Sequence, residues 1–382
     1  MEPLYMHGLR LAEVLQQTLG AWENSLLFMS WIGDPKASFF IYFPLSYFLN
    51  KKIGISVLWI TALTEWLNLT FKWLTPSFSH SPLNPPAPFP AIQAQPPGRM
   101  NHRSGFHRLL FGERPFWWIH ESGLYSEQQL PKLKQFFCSC ETGPGSPSGH
   151  AMITGASWWV MMTSLSAFIY NHTRSSLAKN TPVVLYIVML LAIGISRIFI
   201  LAHFPHQVLA GIVTGAVLGY LLGKHVPENI KLIHCVATSI GLLLCSVCLY
   251  WGLHFLGVDV SWTISLATKW CAKPEWIRPE TAPFSSLSRD AGTVLGLGLG
   301  LSSPMYASTQ GWKMTWKLKT LCIVLSVLII EIMDQVPLSK YSSILFYVLF
   351  YLKNAFVPVL VIAIIPWLVH SIFVTQPSRK QQ

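Results

Sequence analysis

From Thr181 to Leu201 the chain reads TPVVLYIVMLLAIGISRIFIL, an apolar run whose only charge is Arg197. A helix of roughly 20 such residues spans the hydrocarbon core of a bilayer. Comparable runs stand at about 25–49, 53–73, 148–170, 206–223, 233–255, 288–307, 319–336 and 344–370, so nine segments are candidates to cross. Within lipid a segment must satisfy its own backbone hydrogen bonds, which confines chains of this kind to helical bundles. The composition agrees: 52% hydrophobic and 11% charged, where a soluble domain carries about a quarter charged residues. The expected fold is therefore all-α, a polytopic membrane protein of about nine transmembrane helices forming one domain over 1–382. GDPK at 33–36 should break the first span, and the seventh is glycine-rich and the least apolar. The opening MEPLYMHGLRLAEVLQQTL lacks a basic n-region and reads as a polar amphipathic helix, not a cleavable signal.

Short-loop lysines and arginines mark the cytosolic side of such proteins. Lys51, Lys52, Arg174, Lys179, Lys224, Lys231, Lys313, Lys317 and Lys319 follow the odd-numbered spans, and Arg379 and Lys380 lie in the tail. That side is expected to be cytosolic. The N-terminus and the loops 74–147, 202–205, 256–287 and 337–343 then face a lumen or the exterior. The net charge of +11 is explained as topogenic and calls for no nucleic-acid partner. Cys138, Cys140 and Cys271 share the lumenal side, where a disulfide can form, but three cysteines do not fix a pairing. The sequon at Asn68 lies within a span, and the one at Asn171 in a cytosolic loop. Gly211, Gly215 and Gly219, and likewise Gly292, Gly296 and Gly300, recur every four residues, a spacing that lets helices approach closely.

The chemistry collects on the lumenal side. Lys72 ends the second span, Arg114-Pro115 follows in a loop, GSPSGHAMITG at 145–155 opens the third span, and SRIFILAH brings Arg197 and His203 to the end of the fourth. Ionisable groups at membrane depth are costly and usually functional. In SPSGH, Ser146 suits an N-cap and Pro147 the first helical position. Gly149 lets a ligand reach the backbone, Ser148 adds a hydroxyl, and the free N–H groups of a helix start bind anions. With Lys72, Arg114 and Arg197 the pattern describes a phosphate pocket. His150 and His203 add proton transfer or nucleophilic attack. No acidic cluster accompanies them, which argues against a two-metal phosphatase, and zinc on His150, His203 and His206 is disfavoured because the cations would repel it. No cofactor and no metal are expected. Singly, each feature has an ordinary reading: a plain helix start, a snorkelling arginine, histidines at the interface. Their concentration on one face is what points to phosphate. FWWIH at 116–120 suits stacking on a sugar, although an aromatic belt is the commoner use.

Arg114-Pro115, PSGH at 147–150, and SR with five residues to His203 resemble the three-part signature of the type-2 phosphatidic acid phosphatase and vanadium haloperoxidase superfamily. Its first part is Lys, six residues, Arg-Pro. The whole chain resembles the glucose-6-phosphatase catalytic subunits, carried by EWLNLTFKW, RPFWWIHESGLYS, CETGPGSPSGHAMITGA, SRIFILAHFPHQVLAG, KWCAKPEWI and SLSRDAG. FWWIHESG leans toward the widely expressed branch of that family. The resemblance implies a nine-span enzyme of the endoplasmic reticulum membrane, with a lumenal site and a cytosolic C-terminus, hydrolysing glucose 6-phosphate and related sugar 6-phosphates without a metal. It implies His203 as the nucleophile that becomes phosphohistidine and His150 as the acid for the leaving oxygen. Lys72, Arg114, Arg197, Ser148 and the Gly149 N–H would hold the phosphate. A glucose-6-phosphate transporter is an implied partner. A lipid-phosphate phosphatase of the same superfamily, or a transporter of phosphate or sugar phosphate using the same cations, are the competing readings.

Two departures stand out. Gln207 occupies the place where the superfamily often has an Asp holding the nucleophile, leaving Asp34 and Glu141 as candidates for that task. Residues 75–109, rich in Pro and Ser, separate Lys72 from Arg114; removing them restores the spacing of six. That stretch is expected to be disordered, and both retained intronic sequence and a real insertion stay open. The terminal RKQQ suits either a dibasic retrieval signal or a solvated end.

Overall fold

The computed structural model describes residues 2–74, 112–125, 131–227, 230–277, 282–338 and 343–373. The 75–109 segment and the RKQQ tail lie outside these. Among the described residues the chain is helical, with no strand. In chain order the α-helices are α1 Glu2–Thr18, α2 Glu23–Ile32, α3 Pro35–Ala37, α4 Phe43–Leu49, α5 Lys51–Leu74, α6 Pro115–Glu121, α7 Gly149–Thr173, α8 Ser176–Phe199, α9 Pro205–Lys224, α10 Leu232–Phe255, α11 Trp262–Trp270, α12 Pro283–Leu301, α13 Pro304–Ser308, α14 Trp316–Asp334, α15 Ser343–Val359 and α16 Ile365–Phe373.

Six helices are long and apolar enough to cross a membrane: α5, α7, α8, α9, α10 and the continuous run Ile344–Phe373. They match six of the nine expected spans; the count of nine is not confirmed. The first expected span is broken where GDPK predicted. α2 stops at Gly33, and Asp34 caps the next turn by accepting the Lys36 N–H at 2.9 Å with Pro35 behind it. A π turn over Ser38–Tyr42 then leads into α4. The seventh is α12, which starts at Pro283 and stops before Pro304, carries Arg289 and Asp290, and is diluted by glycine and serine. The eighth is α14, which holds Lys317, Lys319, Glu331 and Asp334.

Close helix packing sets the site's frame. A Cβ on Gly211 would stand 2.6 Å from the Ser148 carbonyl, and one on Gly219 2.9 Å from that of Ala156, so α9 lies directly against the backbone of α7. α12 meets α15 through Gly292, Gly296 and Gly300 in the same way. One apolar core joins the π turn, α4, α5, α10, α12, α14 and the 360–369 stretch. A second gathers α1, α6, α9 and α11. Phe116, Trp117 and Trp118 sit inside this second core, with Trp118 stacked on Tyr5. They are therefore neither a sugar platform nor a membrane belt. Asn68 is likewise buried, so its sequon is closed to a glycan.

Candidate active site

Backbone hydrogen bonds bring the separated motifs together. The Gly145 N–H donates to the Gly112 carbonyl at 2.9 Å, and the Ser148 N–H to the Gln207 carbonyl at 3.0 Å. The Gln207 side chain accepts the Phe204 N–H at 3.0 Å and donates to the Glu113 carbonyl at 2.7 Å. Gln207 thus caps α9 and ties three motifs together instead of holding the histidine. α7 begins two residues later than Ser146 suggested. Ser148 is its N-cap in extended conformation, and the Ser148 hydroxyl makes no capping bond. Gly149 opens the helix, and a Cβ there would lie 3.2 Å from Asn68 Oδ1 and 3.8 Å from Lys72 Nζ. The Lys72 ammonium therefore stands at the helix start, beside its free N–H groups.

Arg114, Arg197 and His203 are fully buried. Arg114 donates to the carbonyls of Gly143 (2.8 Å) and Ala202 (2.9 Å) and to Glu141 at 2.8 Å. Arg197 donates to Ser30 at 2.8 Å and pairs with the other oxygen of Glu141. One carboxylate thus bridges two guanidinium groups. Burial pushes the Glu141 carboxyl up, but Arg197 and Arg114 outweigh it and hold it well below the usual carboxylate range. Removing one member of such a buried set strands the others and costs about 3–5 kcal/mol.

His203 is aimed by a backbone group: its Nδ1 lies 2.7 Å from the Gly145 carbonyl. A carbonyl only accepts, so Nδ1 carries the proton and Nε2 keeps its lone pair. Neither Asp34 nor Glu141 performs this task. Burial, and then the charges of Arg114 and Arg197, lower the imidazole's pKa well below its usual value. The ring is therefore neutral and its Nε2 is nucleophilic. His150 faces two carboxylates, with Nε2 3.9 Å from Asp34 and Nδ1 3.7 Å from Glu141. These distances exceed a hydrogen bond but place both negative charges beside the ring.

Three buried polar atoms of this group have no partner among the described residues: Ser148 Oγ, Arg197 Nε and His203 Nε2. Such orphans are uncommon and call for an explanation; a ligand bearing several acceptor oxygens would satisfy the hydroxyl and the guanidinium and present an electrophile to the ring. The adjoining cavity is lined by Lys72, Arg114, Glu141, Gly149 and His150. Arg197, Ser148 and His203 are not among its lining residues, and Glu141 joins Arg197 to Arg114.

The sequence profile of the PAP2 superfamily matches residues 104–231. Over 370 residues the chain is 44% identical to glucose-6-phosphatase 3 of Bos taurus and 45% identical to that of Homo sapiens, covering 97% of this chain and 96% of each relative. This chain belongs to the glucose-6-phosphatase family. It is also 33% identical to glucose-6-phosphatase 2 of Homo sapiens over the full length of both chains. No solved structure matches it significantly.

In this family member all seven sequence-predicted site residues fall in one neighbourhood. Sequence reasoning missed Ser30, Asn68 and the carbonyls of Gly143, Gly145 and Ala202. Of its two candidates for holding His203, Glu141 instead pairs with Arg114 and Arg197. The glycines of CETGPG were the available signal, since a chain that offers its carbonyls inward needs room around its backbone. Cys140 pairs with Cys271 and Cys138 stays free, which settles the pairing the cysteine count left open and ties down the residue beside Glu141.

Proposed function

We propose that the chain hydrolyses glucose 6-phosphate and related sugar 6-phosphates to the free sugar and inorganic phosphate. Family membership supports the substrate class. The observation that carries the chemistry is His203, with its Nδ1 proton fixed on the Gly145 carbonyl and Nε2 buried without a partner. Nε2 attacks phosphorus and the P–O6 bond breaks as His150 gives its proton to the sugar oxygen. The product is a phosphohistidine and a free alcohol. His150, now neutral, takes a proton from water, the water attacks phosphorus, and the P–N bond breaks to regenerate His203. Arg114, Arg197, Lys72, the Ser148 hydroxyl and the Gly149 N–H hold the phosphoryl oxygens, and most of the rate comes from that positioning and charge. A phosphate dianion would draw the arginines from Glu141 or share them with it.

In this reading 1–382 form one domain of the endoplasmic reticulum membrane, with a lumenal site and a cytosolic C-terminus. The asymmetry of loop lysines supports that orientation, as does a disulfide beside the site, since such bonds persist in oxidising compartments. A doubly charged sugar phosphate does not cross lipid unaided, so a glucose-6-phosphate transporter would supply the substrate. Purified protein should release phosphate from glucose 6-phosphate far faster than from phosphatidic acid, and microsomal activity should rise on permeabilisation. Preference for the lipid would refute the proposal, and activity unchanged by permeabilisation would refute the lumenal site.

A further inference from the structure

The cavity that touches Lys72, Arg114 and His150 continues along a wall the catalytic scheme does not use. Asp34, Glu65, Asn68, Ser286 and Arg289 line it, and Glu65, Asn68, Ser286 and Arg289 are all buried. Glu65 precedes Lys72 by seven residues on α5, two helical turns along one face, or about 10 Å of axial rise. That distance suits the hydroxyl-bearing body of a hexose whose 6-phosphate rests at Lys72. Across from Glu65, α12 supplies SLSRDAG. Arg289 pairs with Glu65 through Nη2 and, at 3.2 Å, through Nε. Its Nη2 also lies 3.4 Å from the Ser286 hydroxyl.

Burying two opposite charges, an amide and a hydroxyl along a cavity is costly, and an ion pair of this kind is no better for stability than apolar packing. The arrangement is explained by a ligand rich in hydroxyl groups, which needs acceptors and donors in alternation. Carboxylates accept from hydroxyls, guanidinium and amide N–H groups donate to them, and Ser286 does either. An acyl chain would offer none of these groups a hydrogen bond.

We propose that Asp34, Glu65, Ser286 and Arg289 form a hydroxyl-reading subsite that selects a polyol phosphate by its sugar. Three of the four lie outside the PAP2-matched segment by position on α5 and α12, and Asp34 lies outside it on the break after α2. The proposal rests on the sugar-phosphatase reading and adds the residues that distinguish the substrate.

The test compares kcat/KM for glucose 6-phosphate with that for n-hexyl phosphate, which has the same phosphate and a similar length but no hydroxyls. A site built to bond hydroxyls rejects an analogue lacking them by large factors, on the order of 10⁴. In wild-type protein the ratio should be at least a thousandfold on that scale. It should fall about tenfold or more in Ser286→Ala and in Arg289→Lys. Arg289→Lys disturbs a buried pair, so Ser286→Ala, which removes only a hydroxyl, decides the matter if the lysine variant does not fold. An unchanged ratio in folded Ser286→Ala overturns the subsite, including the case where both substrates lose rate equally. Wild-type protein that cleaves n-hexyl phosphate but not glucose 6-phosphate would instead overturn the function reading itself.

Discussion

Replacing Gly145 with alanine probes how His203 is aimed. The added Cβ would clash with the Glu113 carbonyl and come within 2.7 Å of Gln207 Nε2, so the loop carrying the Gly145 carbonyl must shift. The imidazole loses its fixed tautomer. The expected result is a fall in kcat of about a hundredfold, near 2.7 kcal/mol, with KM little changed; a fall in KM-controlled binding alone would contradict it. His203 also predicts a pH dependence of stability. Its folded pKa lies well below the ordinary 6.5, so the unfolded chain binds a proton that the folded chain refuses. Stability is then complete above about pH 6.5 and declines as pH falls toward the folded pKa, by up to about 1.4 kcal/mol per pH unit. Glu141, lowered from 4.5, adds a loss of the same sign below about pH 4.5. The thermal midpoint of wild type should therefore drop between pH 7 and pH 5.5, and drop less in His203→Ala. Equal drops in both would show that another group is responsible.

At the scale of elements, the disulfide between Cys140 and Cys271 anchors the loop that presents Glu141 to the two arginines. Cys271→Ser removes the link without touching the site. It should lower the thermal midpoint, with a loss of about 2–4 kcal/mol expected for such a bond, and the same decline should follow reduction of wild type. A variant as stable and active as wild type would show that the loop is held by its hydrogen bonds alone. The helices themselves were largely legible, because apolar length and the punctuation of GDPK, Pro283 and Pro304 act locally. The motif residues were legible too, since Lys72, Arg114, PSGH and SR to His203 carry their spacing in the sequence. What holds them was not. The carbonyls of Gly143, Gly145 and Ala202 exist in every residue, and only the tertiary fold decides which of them turns toward a side chain. Glu141 was a candidate to hold His203 for the same reason: its sequence position does not say that Arg114 and Arg197 take its two oxygens while the Gly145 carbonyl takes the His203 proton. The count of nine spans was unsupported at the first, which GDPK breaks, and at α12 and α14, where helicity is clear but charge and glycine dilute the apolar signal.

For the whole molecule, the account requires that Lys72 and Arg114 act in one pocket although 75–109 stand between them in sequence. Deleting 75–109 restores six residues between them, and loop length enters closure entropy only logarithmically. The deletion should keep or raise specific activity at matched expression; an inactive, misfolded product would show the segment to be integral to this protein. The central claim is that His203 receives the phosphoryl group while His150 serves the leaving oxygen and the water. Glucose 6-phosphate labelled with 32P, quenched within a turnover and mapped by peptide, tests it most directly. The account predicts an acid-labile, base-stable label on the peptide carrying His203 in wild type and its absence in His203→Ala. Label persisting in His203→Ala, or turnover in wild type with no label on that peptide under rapid quench, would contradict it.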